Sequence, residues 1–352
     1  MPSTSLAPAP LERLERLVQR ITGRSDPLSA TELEGGASTR RFFRVALGPG
    51  ASAIAMFVPD AARPDEIGKT HEGGRRWPLL EVRELLAERG VRVPALVGEA
   101  CEDGFVLVED LGDDTLANYL ARVPAHRERL YERAVADLAR AQEALAALPA
   151  RSIVSERAFD HDLLKWEIEH FREWGLEARG IELTPADRAL FDELAERLAG
   201  RIAAWPRGFV HRDYQSRNLM VELDPAGEPG LAWIDFQDAL LGPRVYDLVA
   251  LLGDSYQTFD RDFIEARLDD YARARGLDAA GRREVGREFD LVTVQRKLKD
   301  AGRFVFIDRV KQNPSFLEFV EPTIAKVRAA LDRLKDEPDL VRLGGLLERV
   351  LG

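Results

Sequence analysis

The stretch Phe209-Val210-His211-Arg212-Asp213-Tyr214-Gln215-Ser216-Arg217-Asn218-Leu219-Met220 constrains this chain more than any other, and Leu231-Ala232-Trp233-Ile234-Asp235-Phe236-Gln237-Asp238 follows it with the same build. In each, an apolar run of strand character delivers polar groups to its end. Asp213 and Asn218 stand five positions apart, and Asp235 ends the second run. Phosphoryl transfer needs such a set: a carboxylate beside the attacking hydroxyl, and oxygen ligands for the magnesium that neutralises a triphosphate. Magnesium takes hard oxygens and usually only one or two protein carboxylates. Asp213 is therefore the expected base, and Asn218 with Asp235 the expected metal ligands. His-Arg-Asp alone is a weak signal; followed by Asn at this offset and by an apolar strand ending in Asp-Phe, it is a specific one. The bland alternative is two hairpin strands with polar turn caps. It leaves three oxygen-bearing residues at this spacing unexplained.

A chain of 352 residues is long enough for one large two-lobed domain or two domains. A net charge of -11 argues against nucleic acid as the main partner, because a phosphate-backbone surface is normally basic. It leaves room for a local basic pocket. The single cysteine, Cys101, permits no internal disulfide and fits a reducing compartment. No apolar run spans a bilayer, and the N-terminus lacks the basic start and apolar core of a signal peptide. A cytoplasmic protein with no membrane partner is the expectation.

Residues 1–10, rich in Pro, Ala and Ser, read as a loose tail. Leu11, Leu14, Leu17, Val18 and Ile21 then recur at helical spacing. Strands are expected over 28–33, 40–45 and 53–58. The turn Gly35-Gly36-Ala37-Ser38-Thr39 lies between the first two, where backbone N–H groups can approach phosphates closely. The third strand departs from the usual kinase plan, since Met56 and its neighbours stand where a phosphate-binding lysine is expected. Arg41 and Arg44, flanking the turn, rank ahead of Lys69 as substitutes. Residues 64–77 read as a polar loop and 77–89 as a helix. Strands follow over 95–99 and 105–109, and Leu107-Val108-Glu109-Asp110-Leu111-Gly112 resembles the hinge where backbone groups meet adenine, with Glu109 and Leu111 the residues concerned. The expected division is a nucleotide-covering lobe over 11–110 and a catalytic lobe over 111–352.

Beyond the hinge the pattern is helical. A long helix is expected over 125–148, and another over 159–174 carrying His161, Lys165, Trp166, His170 and Trp174. Its aromatic and basic residues suit either a sugar-binding wall or, slightly favoured, a core face with a solvated rim. A Thr-Pro start opens a helix over 184–204. Gly242-Pro243 is read as opening the next helix, whose Asp247 is expected to brace the catalytic loop, with His211 supporting it from within. From Phe259 onward the pattern reads as helices with short breaks. Arg296 and Lys299 share a face there, for an anionic substrate or, more often, for solvent.

Together these residues resemble the aminoglycoside phosphotransferase-like kinases over most of the chain. Within that superfamily the likeness is closest to the cell-wall-recycling anomeric kinases of N-acetylmuramate and N-acetylglucosamine. It is carried by Gly36-Ala37-Ser38 with Arg40-Arg41-Phe42-Phe43-Arg44, by 211–220, by Ile234-Asp235-Phe236-Gln237-Asp238-Ala239, by Gly242-Pro243 with Tyr246-Asp247-Leu248-Val249, and by Gln295-Arg296 with Leu298-Lys299. Gly36 and Gln215 depart from that pattern, which has an acidic residue and a histidine there. The resemblance implies an α+β, two-lobed protein-kinase-like fold, with a small antiparallel-sheet lobe and a larger mainly helical lobe. It implies ATP as co-substrate, Mg2+ and a small-molecule sugar acceptor, with Gln215, Arg217, Gln237 and Asp238 the nearest candidates for sugar contacts. The alternatives are the same fold acting on another small alcohol (aminoglycoside, choline or homoserine) and a nucleotide-binding regulatory pseudokinase.

Overall fold

In a computed structural model the chain is described over residues 6–24, 26–33, 40–60 and 77–352. The Gly35 to Thr39 turn, Lys69 and nearly all of the 64–77 loop lie outside the described residues. The chain divides into two compact units, one comprising 1–122 with 219–238 and the other 123–218 with 239–352. Among the described residues no helix is long and apolar enough to cross a membrane.

The first unit is built on an antiparallel sheet. Its strands are β1 (Ala30–Glu32), β2 (Arg41–Gly48), β3 (Ala51–Phe57), β4 (Leu96–Ala100) and β5 (Phe105–Glu109), in the order β1-β2-β3-β5-β4. Side chains alternate between the faces of a strand, so each face has its own core. Ala55 and Phe57 join Phe43, Val45, Phe105 and Leu107 beneath Leu14, Leu17 and Val18 of helix α1 (Pro8–Thr22). Met56 and Val106 face the other way, against Trp77 and Leu80 at the start of helix α2 (Pro78–Glu88). Met56, in the neighbourhood expected to carry a lysine, is thus buried among apolar side chains. The expected tail does not hold for its described part, since α1 begins at Pro8 and Leu6 is buried in the first core. Helix α3 spans Leu116–Arg122.

The unit boundary also differs from the expected single cut after residue 110. The hairpin of β7 (Leu219–Leu223) and β8 (Pro229–Trp233) belongs to the first unit. Backbone bonds tie it there: Val221 donates to the Asp114 carbonyl at 2.7 Å and Trp233 to that of Arg92 at 2.8 Å. The Arg92 guanidinium joins Glu109 at 2.8 Å and Glu222 at 2.6 Å.

The second unit is mainly helical. Its helices are α4 (Arg127–Ala144), α5 (His161–His170), α6 (Pro185–Ala203), α7 (Tyr246–Leu252), α8 (Arg261–Ala274), α9 (Ala279–Lys311), α10 (Val320–Arg333) and α11 (Pro338–Leu351). Helices separated by short breaks follow Phe259, as expected, and among them α9 runs for 33 residues, about 50 Å at the helical rise. Gly242-Pro243 does not open a helix. It ends strand β9 (Leu240–Pro243), which pairs antiparallel with β6 (Arg207–Val210). Gly242 is needed for close approach, because a Cβ there would lie 2.7 Å from Phe159 Cδ2.

Candidate active site

The loop from His211 to Asn218 leaves β6 in the second unit, and buried groups hold it at several points. Asp247, in the first turn of α7 and fully buried, accepts the backbone N–H of His211 at 2.7 Å and of Arg212 at 3.0 Å. Burial pushes the Asp247 carboxyl up to about 7 against the pull of those two donors and of Arg296. His211 Nδ1 accepts the Asp213 N–H at 3.3 Å. The buried Tyr214 hydroxyl donates to the Ala134 carbonyl on α4 at 2.9 Å. The Ser216 hydroxyl donates to Asp254 Oδ2 at 2.6 Å. Asp254 sits just past α7, where the Lys326 ammonium collects the carbonyls of Gly253, Asp254 and Gln257. The fixed loop forces Arg212 into left-handed backbone conformation with φ of 80°, a cost that surrounding bonds must sustain and that clusters at functional sites.

Asp213 is the loop's acidic tip, and its side chain retains 37% exposure. Burial on the protein side raises its carboxyl pKa, but positive charges, Arg296 foremost, then Lys299, Arg212 and His211, outweigh it and hold the group below the usual carboxylate range. Arg296 is completely buried on α9. Its Nη1 donates to the Arg212 carbonyl at 2.9 Å, its Nη2 stands 3.5 Å from Asp213 Oδ1, and its guanidinium lies 4.6 Å from the Tyr246 ring centroid. The expectation of a substrate-facing or solvated Arg296 is therefore overturned: the side chain points inward and fixes the loop from behind. Lys299 pairs with Asp300 at 2.9 Å, and the buried Lys297 pairs with the same carboxylate at 2.8 Å.

Asn218 closes the loop. Its Nδ2 donates to the Asp213 carbonyl at 2.8 Å, which orients the amide and commits its nitrogen, leaving Oδ1 as the acceptor end. A hard cation takes that kind of oxygen. Gln215 shapes the turn through its backbone, donating to Asp213 at 2.9 Å and accepting from Asn218 at 2.9 Å. Arg217 is exposed and stacks over the Tyr256 ring, 3.7 Å from its centroid.

The other expected site residues belong to the first unit. Asp235 follows β8 with φ of 62°, a left-handed conformation that Asp tolerates better than most residues. Its Oδ1 accepts from Gln237 Nε2 at 2.7 Å, and that amide also lies 3.5 Å from Asp238 Oδ2. Gln237 is buried, so in this structure it braces the two acids. Arg44 is bound by Asp110 at 2.7 Å and Asp113 at 2.8 Å, and Arg41 by Glu32 at 2.7 Å. Both are thus ion-paired. Arg44 ties β2 to the segment after β5, which accounts for it without a phosphate. Glu109 accepts from Arg92 and from the Ala95 N–H at 2.9 Å. Sequence reading missed Asp254 and the inward role of Arg296. Nothing in the local pattern marks an acid that folds back on a serine 38 positions away, or an arginine that folds back on the loop from α9.

Comparison with known proteins gives a consistent result. Residues 29–285 match the model of the phosphotransferase enzyme family. A Pseudomonas putida N-acetylmuramate/N-acetylglucosamine kinase is 33% identical over 326 residues, covering 91% of this chain and 87% of its own. The kinase of the same name from Pseudomonas aeruginosa is 32% identical over 340 residues, covering 95% and 92%. Among solved structures, a microcompartment-associated aminopropanol kinase aligns with a TM-score of 0.61 at 17% identity, over 93% of this chain and 98% of its own. The ADP-bound aminoglycoside phosphotransferase APH(2'')-Ib aligns at 0.60 and 16% identity, over 91% and 98%. At such identities these structures speak for the fold alone, and the fold they share is the kinase-like one.

Proposed function

The chain belongs to the phosphotransferase enzyme family and is a kinase of an alcohol group, and from that premise we propose that it transfers the γ-phosphoryl group of ATP to the anomeric hydroxyl of N-acetylmuramate, N-acetylglucosamine or both. The observation that carries the reading is the presentation of Asp213: partly open to solvent, held ionised by Arg296 behind it, on a loop clamped by Asp247. Asp213 accepts the acceptor's hydroxyl proton on its carboxylate as the oxygen attacks the γ-phosphorus, whose bond to the β,γ-bridging oxygen breaks so that ADP leaves. An anomeric hydroxyl is more acidic than an ordinary alcohol, so a weak base suffices. Positioning and charge neutralisation supply most of the rate in such a transfer.

Asn218 Oδ1 and the Asp235 carboxylate are the proposed oxygen ligands for Mg2+, each fitted by its chemistry and by the bond that orients it. Magnesium bound there would neutralise the charge of the phosphates. The backbone at Glu109 and Leu111 is proposed to meet the adenine edge, and the Gly35, Gly36, Ala37, Ser38 and Thr39 turn to cover the phosphates. Arg217 and Gln215 remain candidates for sugar contacts, and Asp238 with them. Amine acceptors, as in the aminopropanol kinase, fit less well, because Arg212, Lys299 and Arg303 all act on Asp213 or stand within its field.

The test is magnesium-dependent ATP consumption by the purified protein against N-acetylmuramate, N-acetylglucosamine, glucose, kanamycin, choline and homoserine, with phosphorus NMR of the product. An anomeric phosphate on an N-acetylated sugar is expected. Turnover confined to another acceptor would discard the substrate, and no turnover on any of them would discard the reading.

A further inference from the structure

The basic residues of α9 differ in how they are neutralised. Arg296 stands against Asp213, and Lys297 and Lys299 against Asp300. Arg303 has no hydrogen bond or ion pair among the described residues, although the chain carries a net charge of -11. It lies one further step along the helix face that holds Arg296 and Lys299, since positions three or four apart share a face. From Arg296 to Arg303 the helix rises about 10 Å. Arg303 is half-buried, with its guanidinium 4.8 Å from the Phe306 ring centroid.

Phe306 leads into an aromatic wall. Trp174 meets it edge-on at 5.0 Å, and His170 lies 5.6 Å from it. Trp166 stacks on His170 at 5.4 Å and is 53% exposed. The backbone is specialised here: α5 passes at Phe171 into a π-helical turn ending at Leu176, a feature common at functional sites. His170 is buried and its Nε2 has no hydrogen-bond partner among the described residues. Burial, then Arg303 and Lys299, push its pKa down to about 4, so at neutral pH it adds no charge. Arg303 in turn feels Arg212 and Asp213, which places it in the neighbourhood of the reactive carboxylate. A half-buried guanidinium without a carboxylate, beside an aromatic platform with one exposed face, is a site for an anion attached to a ring.

We propose that Arg303 reads a carboxylate on the acceptor, against the wall of Phe306, Trp174, His170 and Trp166, and so selects an acidic N-acetylated sugar over its neutral analogue. This rests on the anomeric sugar kinase reading above. N-acetylmuramate carries such a carboxylate on its side arm and N-acetylglucosamine does not. Arginine suits the role because its planar fork matches a carboxylate in two parallel bonds. The helix also orders the functions along its length: Arg296 behind Asp213 at the reacting hydroxyl, Arg303 two turns on at the far substituent. The aromatic helix face, read from sequence as more core than wall, is thus both, with His170 and Phe171 buried and Trp166 open.

The test compares kcat/KM for N-acetylmuramate and N-acetylglucosamine at saturating ATP. Arg303→Gln is expected to lower the ratio of the two about tenfold or more, mainly through KM, the size of a lost hydrogen bond to a charged group. Arg303→Lys is expected to keep part of the preference. A ratio unchanged in Arg303→Gln, with both acceptors falling together, would overturn the proposal and assign Arg303 to the phosphoryl group or to packing. A second measurement leaves the protein untouched: the methyl ester of N-acetylmuramate, of similar shape without the charge, is expected to show a KM about tenfold higher with the unaltered enzyme. An ester KM equal to that of the acid would overturn the proposal. If the unaltered enzyme phosphorylates neither sugar, the acceptor reading itself fails and this proposal falls with it, an outcome distinct from two working acceptors with no charge preference.

Discussion

Replacing Arg296 by methionine isolates the electrostatic support of Asp213. The 3.5 Å separation between Arg296 Nη2 and Asp213 Oδ1 is too long for a good hydrogen bond, so the coupling is mainly charge on charge. At that distance two unit charges interact by about 5 kcal/mol in a medium of effective dielectric near 20, and by about 1 kcal/mol in bulk water. Asp213 keeps 37% exposure, so screening brings the effect toward the lower figure, about 1–2 kcal/mol. That corresponds to about one pH unit. The sign follows from the cause. Burial alone raises the Asp213 carboxyl, and Arg296 is the first of the charges that lower it, so without Arg296 the carboxyl protonates at higher pH. The acid limb of kcat against pH should move up by about one unit. The stability that ionised Asp213 lends, lost as pH falls through its depressed value, should begin to be lost at higher pH too. The variant also removes the Arg296 hydrogen bond to the Arg212 carbonyl, at a cost of about 1–3 kcal/mol, which a melting curve would register. A folded Arg296→Met protein whose acid limb stays in place would refute the reasoning.

Three further outcomes follow. Asp247→Asn turns one carboxylate oxygen into an amide facing a backbone N–H, and should cost about 1–3 kcal/mol of stability and slow turnover; denaturant melts and turnover both equal to those of the unaltered protein would contradict it. Because burial pushes Asp247 up to about 7, the folded chain keeps a proton that the unfolded chain releases near pH 4, so this group's contribution to stability should fall as pH rises from about 4 to 7 and then level off. Asp247→Asn should remove that slope, as read from denaturant melts across the range. Gly302→Ala should destabilise by about 1–3 kcal/mol, because the new Cβ would lie 2.7 Å from the His170 carbonyl oxygen and 2.9 Å from Phe171 Cα, both backbone atoms. Gly344→Ala, on a helix and 3.9 Å from Leu331 Cδ1, is the control, expected to be neutral or stabilising in thermal melts.

What the sequence made legible is what local pattern encodes. The run Phe105-Val106-Leu107-Val108-Glu109 is a strand with the bounds expected of it, and Thr184 caps its helix by accepting the Asp187 N–H as the Thr-Pro start suggests. His211, Asp213 and Asn218 share one loop, as their spacing implied, with Asp247 beneath it. Helices with short breaks after Phe259 were legible, but the length of α9 was not, because its middle is buried almost all round. Gln295, Arg296, Lys297 and Asp300 sit inside beside Leu298 and Val294, so no apolar stripe of helical period stands out. Strand β9 was hidden because Gly-Pro reads as a turn, although a two-stranded ladder tolerates proline at its end. The grouping of the β7–β8 hairpin with the first unit depends on Arg92, more than a hundred positions upstream of Glu222, and no local signal carries it. The same holds for Arg303, whose meaning lies in the acid it lacks.

The central claim is tested most directly on Asp213 itself. Asp213→Ala protein should be assayed for phosphorylation of an N-acetylated sugar and, in parallel, for ATP binding by calorimetry in the presence of magnesium. The account predicts that turnover is abolished while nucleotide affinity stays within a few-fold, because the carboxylate handles the acceptor's proton. Turnover undiminished in this variant would contradict the account.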